Sequence, residues 1–521
     1  MKSFNTAGTC RPKEHYMVDI TERLVIIRKM VAKGDYFCIN RGRQYGKTTT
    51  LKAISNRFTD EYCIFQISFE GLSDSTFVDE EKLYSAFVWL LVQSFKWVPL
   101  EGLDKEVGDE IKSFYNTHKD RCSEAELSDF ISTICHRNNK PIVLLIDEVD
   151  QAGNHTSFLK FLGLLRGMYL NRDVVPTFLS VILAGVYDIK NLKLKIRPEE
   201  QHQYNSPWNI AVPFDVDMSL SADGIAGMLA EYKADHDLSF DEKGVAQEIR
   251  DYTAGYPFLV SRICQIIDAE QWSWDKTGVL KAVNKILNEG CTLFDDIVKK
   301  LDEFPELVRT IKGVLFEGFR YPFNYYDKAT NLALMFSFVK QQDGAFAISC
   351  RMFEIWFYNY FISQDKQSPS FKQGISDKNQ FVHDGIIDMP HLLERFAAHM
   401  NQTFNMDKDR QFLEDNGREI FLTYLRPIIN GVGNYYIEVQ TRDHERMDVV
   451  IDYLGKRYVI ELKIWRGNAY NERGEEQLRR YLEYFDLQRG YLLSFCFNQK
   501  KASGLLPPVE IGGRTLIEVI V

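Results

Sequence analysis

The chain has 521 residues, more than one hydrophobic core organises, so about three or four domains are expected. With 45% hydrophobic and 26% charged residues it has the composition of a folded globular chain, which excludes long disorder. A formal net charge of −10 excludes indiscriminate coating of nucleic acid through many Lys/Arg–phosphate contacts and leaves only local basic surfaces for such binding.

The opening residues MKSFNTAGTCRPKEHYMV lack the apolar core of a signal peptide. No apolar run approaches the roughly 18 residues of a membrane span. The nine cysteines are scattered, without a CxxC pair or zinc spacing, and read as reduced thiols. A cytoplasmic protein with no membrane partner is expected.

The first two hundred residues alternate β-branched or aromatic runs, YFCIN (36–40), CIFQISF (63–69), PIVLLIDEV (141–149) and TFLSVILAGV (177–186), with helical patterns. Buried strands separated by helices predict a parallel sheet covered on both faces. Directly after YFCIN come Arg41-Gly42-Arg43-Gln44-Tyr45-Gly46-Lys47-Thr48 and a helical run. Strand, glycine-containing loop and helix form the context of a P-loop, where backbone N–H groups and a helix N-terminus hold phosphates. Lys47 is then expected at the β- and γ-phosphates and Thr48 on Mg²⁺. Arg41 stands where the usual spacing has glycine, and Gly42 is expected to take over the turn.

The apolar strand Val143-Leu144-Leu145-Ile146 ends in Asp147-Glu148, a Walker B arrangement. Asp147 is expected to support Mg²⁺, and Glu148 to orient or deprotonate water.

From 218 to 290 the pattern is helical, which predicts a helical lid on an ATPase core spanning 1–217. Over 291–362 amphipathic helices precede MFSFVKQQDGAFAIS, a hairpin with its turn at Gln-Gln-Asp-Gly, which suggests a winged-helix module. Residues 363–380, SQDKQSPSFKQGISDKNQ, have linker composition. Beyond them, over 381–521, helices lead to the strands YYIEVQ, MDVVIDY, YVIELKIW and YLLSFCF, with a helix at about 472–486, giving a second α/β domain.

In that domain Glu461 and Lys463 alternate with apolar residues and share a strand face, and a neighbouring antiparallel strand can bring Asp448 beside them. Two carboxylates hold Mg²⁺ and a lysine stabilises a scissile phosphate. A solvated sheet face is the alternative. Arg466, Arg473, Arg479 and Arg480 form either a phosphate track or an ordinary solvated helix face.

On Arg41, Arg43, Gly46, Lys47 and Thr48 the chain resembles the prokaryotic AAA-like ATPases, near the STAND and archaeal-type branch, whose loop reads Arg-x-Arg-x-x-Gly-Lys-Ser/Thr. The resemblance implies ATP and Mg²⁺ as cofactors, with Arg43, Gly46 and Thr49 also at the nucleotide. It extends to LAGVYD (183–188), where no Asn or Thr stands at the family's sensor position, and to Gly255-Tyr256-Pro257, which looks like the family's GxP motif with Pro257 near adenine. An ordinary interhelical loop is the alternative there. Arg262 and Arg351 are arginine-finger candidates, with surface salt bridges as their other use.

The order Asp448-x₁₂-Glu461-x-Lys463, preceded by Arg446-Met447, is similar to the PD-(D/E)xK nuclease superfamily. That resemblance implies a restriction-endonuclease-like fold, Glu419 as an early-helix acid, Glu438 before the Asp448 strand, and Gln477 with Tyr481 as in the RecB-like branch. Together the two imply an α/β multidomain protein in which an ATPase controls a metal-dependent nuclease on DNA or RNA, in defence against foreign nucleic acid. A homo-oligomer would follow the habit of AAA-type ATPases. A nucleotide-dependent recruitment switch with a non-catalytic nuclease-like domain is the competing function.

Overall fold

The computed structural model describes residues 2–153, 155–186, 208–317, 319–324, 327–364, 367–404, 410–429, 432–437, 447–464, 478, 482–483, 486–496 and 503–521. It divides into two compact units. The first holds Met1–Leu220 with Tyr256–Phe258 and Met335–Ser337, and the second holds Ser221–Gly255, Leu259–Leu334 and Phe338–Val521.

The first unit runs α1 (Thr21–Ala32), β1 (Phe37–Asn40), α2 (Lys47–Arg57), β2 (Cys63–Ser68), α3 (Asp74–Val78), α4 (Glu80–Lys96), α5 (Lys105–His118), α6 (Glu124–Arg137), β3 (Ile142–Asp147), α7 (Thr156–Leu170) and β4 (Ser180–Gly185). The four strands are parallel in the order β1-β4-β3-β2. Every residue of β3 and β4 is buried, as expected of strands covered on both faces.

The period of two sorts the apolar residues into two cores. Ile142, Leu144 and Ile146 join Val181 and Leu183 in one, whereas Val143 and Leu145 join Ile182 and Ala184 in the other. Helix starts follow their local chemistry: Asp79 caps α4 by accepting from the N–H groups of Glu81 and Lys82, and Ser123 with Glu126 forms a capping box on α6. Val212 forms a parallel bridge with Phe37, on the edge of β1 away from β4.

The second unit opens with the expected helices, α8 (Ala222–Asp235), α9 (Glu242–Thr253), α10 (Pro257–Ala269, whose first two residues belong to the first unit) and α11 (Lys276–Asn288). After α12 (Thr292–Glu303), α13 (Pro305–Lys312) and α14 (Lys328–Met335) comes the hairpin of β5 (Val339–Gln342) and β6 (Ala345–Ile348). Its turn residues Asp343 and Gly344 both have positive φ, 48° and 74°, the geometry that matches the twist of paired strands.

The stretch read as a linker is corrected. After α15 (Arg351–Gln364) it holds α16 (Pro369–Asp377), started by the Ser368 cap and Pro369 in the first turn. Polar composition hid the packing. Ser370 is hydrogen-bonded to His399 at 3.0 Å, and the buried Asp377 accepts from Tyr424 at 2.9 Å and Gln373 at 3.0 Å.

A small hairpin, β7 (Val382–His383) and β8 (Ile386–Ile387), leads to α17 (Met389–Thr403) and α18 (Arg410–Ile429). The C-terminal sheet contains β9 (Gly433–Ile437), β10 (Met447–Tyr453), β11 (Lys456–Ile464), β12 (Arg489–Phe495), β13 (Gly504–Leu505), β14 (Val509–Ile511) and β15 (Arg514–Ile520). Its order is β13-β15-β12-β11-β10-β9, with β14 paired to β15. The last three strands exceed the sequence expectation, and β15 pairs parallel to β12 in the middle of the sheet. Most of the expected helix at 472–486 lies outside the described residues.

None of the nine cysteines is in a disulfide, and among the described residues no helix is long and apolar enough to cross a membrane. A Cβ at Gly374 would lie 2.1 Å from the Tyr424 carbonyl oxygen and 2.7 Å from Pro427. Gly374→Ala is therefore expected to cost about 1–3 kcal/mol, read as a lowered unfolding midpoint, whereas an unchanged midpoint would restore the linker reading.

Candidate functional site

The loop between β1 and α2 wraps around its own lysine. Lys47 Nζ donates to the carbonyls of Arg41 and Gly42, both at 3.0 Å, and the residue is only 7% exposed. Burial lowers the pKa of its ammonium, against the opposing pull of Asp150, Glu148 and Asp147. Gly46 precedes α2 with φ of 81°, a left-handed conformation suited to glycine. Its carbonyl accepts from Thr50 Oγ1 at 2.9 Å, while Thr49 Oγ1 accepts from the Cys10 N–H at 3.3 Å. Thr48 is half-buried and Arg43 exposed.

Gly42 serves differently from the expectation. Its φ is not positive; the left-handed positions of the loop are Gln44 and Gly46. Glycine is needed at 42 for close approach, since a Cβ there would stand 2.8 Å from the Phe336 carbonyl oxygen. Arg41 is occupied by backbone, donating to the carbonyls of Asn40 and Val216 at 2.8 and 3.0 Å.

Tyr256 and Pro257 pack on this loop. The Tyr256 hydroxyl donates to the Arg43 carbonyl, its ring meets Tyr45 edge-on at 4.6 Å, and Pro257 lies 4.0 Å from where a Gly46 Cβ would be. Tyr256 and Pro257 are thus seated on the P-loop.

At the carboxyl end of β3, Asp147 is buried and its Oδ1 accepts from the Glu148 N–H at 3.0 Å. Glu148 has φ of 51° and is half-buried. Burial raises its pKa, Asp147 adds to the rise, and Lys47 opposes it. Sequence reasoning missed Asp150, whose Oδ2 accepts from the Val186 N–H at 2.5 Å and ties the end of β3 to that of β4. The repeated acid in Asp-Glu-Val-Asp was the available signal. Gly185 makes room for it, since a Cβ there would meet Asp150 Oδ1 at 2.9 Å. Tyr187 and Asp188 of the expected sensor stretch lie outside the described residues.

Of the finger candidates, Arg262 pairs with Glu289 at 2.7 Å, and Arg351 lies over the Tyr436 ring at 4.0 Å.

On the C-terminal sheet the β10–β11 register sets Asp448 opposite Glu461, and residues so paired share a sheet face. Glu461 is 0% and Lys463 4% exposed, which overturns the solvated-face alternative. Beyond them on β12 and β15, Ser494 donates to Glu518 at 2.5 Å. The Asp448 side chain, Glu438, Arg446, Arg466, Arg473, Gln477, Arg479, Arg480 and Tyr481 lie outside the described residues. Glu419 is half-buried on α18. Among the described residues no three His, Cys, Asp or Glu groups are arranged to hold a metal ion.

A P-loop with a buried lysine, an acidic strand end and a parallel sheet between them define a P-loop ATPase that binds nucleotide. More narrowly, the model of the AAA-like domain matches residues 13–359, and the chain belongs to that family. Solved structures similar to it include the Walker-type ATPase PABY2304 of Pyrococcus abyssi, with 12% identity, 68% of this chain and 99% of that chain covered, and a TM-score of 0.49. The ORC2 protein of Aeropyrum pernix, in ADPNP–ADP complexes, has 13% identity over 69% and 97% with a TM-score of 0.38. The ORC1 protein of the same organism, in complex with DNA, has 12% identity over 69% and 95% with a TM-score of 0.28. No curated protein matches the chain.

Because Gly42 supplies an acceptor to Lys47 and has no room for a Cβ, Gly42→Ala is expected to weaken ATP binding about tenfold or more, measured by titration calorimetry. Gly163→Ala on α7, where a Cβ meets nothing within 4 Å, should leave the affinity unchanged.

Proposed function

We propose that the ATPase controls a metal-dependent phosphodiester-cleaving site on the C-terminal sheet, acting on DNA or RNA. The observation that carries this reading is the β10–β11 pairing, with Asp448 opposite Glu461 and the buried Lys463 two residues farther along the same strand. In an apolar strand, burying a carboxylate and an ammonium costs free energy that chemistry at the site would justify.

At the P-loop, Lys47 binds the β- and γ-phosphates, with Arg43, Gly46, Thr48 and Thr49 around them and Pro257 beside the adenine. The Thr48 hydroxyl and the buried Asp147 carboxylate form an oxygen-only donor set that fits Mg²⁺. Mg²⁺ bound there neutralises phosphate charge. Glu148 orients or deprotonates the attacking water.

On the C-terminal sheet, Asp448 and Glu461, with Glu419 as a third acid, are the candidate Mg²⁺ ligands. Lys463 stabilises charge on the scissile phosphate and Gln477 lies near it. Residues 291–362 act as a winged-helix module and 381–521 as the restriction-endonuclease-like domain. Defence against foreign nucleic acid is the setting that this combination supports, in a cytoplasmic, homo-oligomeric assembly.

The test is cleavage of labelled DNA and RNA with Mg²⁺ or Mn²⁺, with and without ATP. Chelation and Glu461→Ala are expected to abolish cleavage, and Lys463→Ala to reduce it at least about a hundredfold. Lys47→Ala should change its dependence on ATP. Intact ATP turnover with no cleavage under any condition would replace this reading by a nucleotide-dependent recruitment switch.

A further inference from the structure

The helix that precedes the P-loop contact in the chain is fixed to the strand pair carrying Asp448 and Glu461. On α9, Glu248 and Tyr252 stand four residues apart and therefore share a face. Both are buried. The Tyr252 hydroxyl donates to Asp452 on β10. Arg457 on β11 donates from Nε to Asp452 at 2.7 Å and from a terminal nitrogen to Glu248 at 3.3 Å. Asp452 and Arg457 are themselves cross-strand partners, so one buried polar group clamps both strands to one helix.

Neighbouring elements close around it. The Tyr252 ring meets Tyr436 of β9 edge-on at 6.3 Å, and the Arg351 guanidinium lies 4.0 Å from the Tyr436 ring centroid and 5.2 Å from that of Tyr252. Glu248, Tyr252, Asp452 and Arg457 also line a cavity of about 840 Å³.

The clamp sits four residues from the candidate acids on each strand: Asp452 from Asp448 on β10, and Arg457 from Glu461 on β11. Four is an even number, so each pair shares a face, at a separation of about 14 Å along the strand. In the other direction, four residues separate Tyr252 from Tyr256, whose hydroxyl is bonded to the P-loop carbonyl of Arg43. Between them Ala254 and Gly255 have φ of 49° and 74°, so α9 ends in a sharp left-handed turn before the P-loop contact.

We infer that Tyr252 and Arg457 are positioning residues through which the nucleotide state of the P-loop sets the β10–β11 pair and hence the candidate cleavage site. The inference rests on the proposed reading of that sheet for its functional consequence, whereas the link itself joins the Tyr256 contact to the Tyr252 contact through the covalent chain between those two residues. Phosphate binding acts on the loop that holds Tyr256. The covalent step through Ala254 and Gly255 passes a displacement to α9, and the clamp carries it to both strands at once.

Amide hydrogen exchange of the full chain, with and without saturating ATP, tests the link separately from cleavage. In wild type, ATP is expected to change exchange over 447–464 about tenfold. Tyr252→Phe keeps the ring and removes only the hydroxyl, and Arg457→Lys keeps the charge without the fork. Both should reduce the nucleotide response below about twofold, with ATP affinity and turnover unchanged, and bring the ratio of cleavage with and without ATP towards one. If Tyr252→Phe does not fold, Arg457→Lys carries the decision alone. An ATP-saturated wild type with no exchange response, or a response that survives in the folded variants, would overturn the inference. An exchange response that the variants lose, in a protein that cleaves nothing, would uphold the link and reject the nuclease reading.

Discussion

A buried ammonium organises the nucleotide-binding half. Lys47 is 7% exposed, and such burial carries a large desolvation cost unless polar groups take the place of water. Two carbonyls of its own loop do so, and three acids at the end of β3 oppose the fall in its pKa. This imposes conditions elsewhere. The loop must curl tightly enough to bring the carbonyls of residues 41 and 42 over the lysine, which the left-handed Gly46 permits, and residue 42 must lack a Cβ because the Phe336 carbonyl packs against it. The acids must stand at the same edge of the sheet, which parallel strands guarantee because all their carboxyl ends lie on one side. Asp150 then fixes the acidic segment by accepting the Val186 N–H beyond β4, the strand between β1 and β3.

What was legible in the sequence of this half was what local chemistry decides. The strands are apolar runs, β3 and β4 buried on both faces, and the loop sits between a strand and a helix. The roles of Arg41 and Gly42 were not legible, because they depend on partners far along the chain: Arg41 reaches the Val216 carbonyl, and Gly42 donates its N–H to Ser337 Oγ at 3.1 Å. Asp150 escaped notice for the same reason, since its partner belongs to another strand's end. The order of strands is also a non-local property, and nothing in the run of residues states that β4 lies between β1 and β3.

In the C-terminal half, the period of two placed Glu461 and Lys463 on one strand face, and the register then set Asp448 opposite Glu461. Alternation of polar and apolar residues ordinarily signals a half-solvated sheet. Here that inference fails, because both faces are covered: Val459, Ile460, Glu461, Leu462 and Lys463 are all buried. Covering elements come from elsewhere in the sequence, so composition could not reveal them. The linker reading failed in the opposite sense. Ser, Pro, Gly and Gln over 363–380 are linker residues by frequency, yet Ser368 caps a helix, Pro369 starts it, and Gly374 allows it to lie against the carbonyl of Tyr424.

The buried charges of the second unit have two kinds of solution. Asp377 and Glu518 each accept from hydroxyl or amide donors within the unit, and Asp377 also pairs with Arg395 at 3.4 Å, so these carboxylates are solvated locally and act as structure. Asp452, Arg457 and Glu248 join a helix to two strands, with each group dependent on the others for replacing water. A well-packed apolar substitute for such a group is often no less stable, so stability alone is a weak reason for an ionic clamp at this place. Directionality is a stronger one. Apolar side chains tolerate sliding of a helix over a sheet, whereas the Arg457 fork and the Tyr252 hydroxyl fix both distance and orientation. A helix that ends three residues from the P-loop contact needs that restraint if its motion is to reach the strands rather than dissipate in the packing around them.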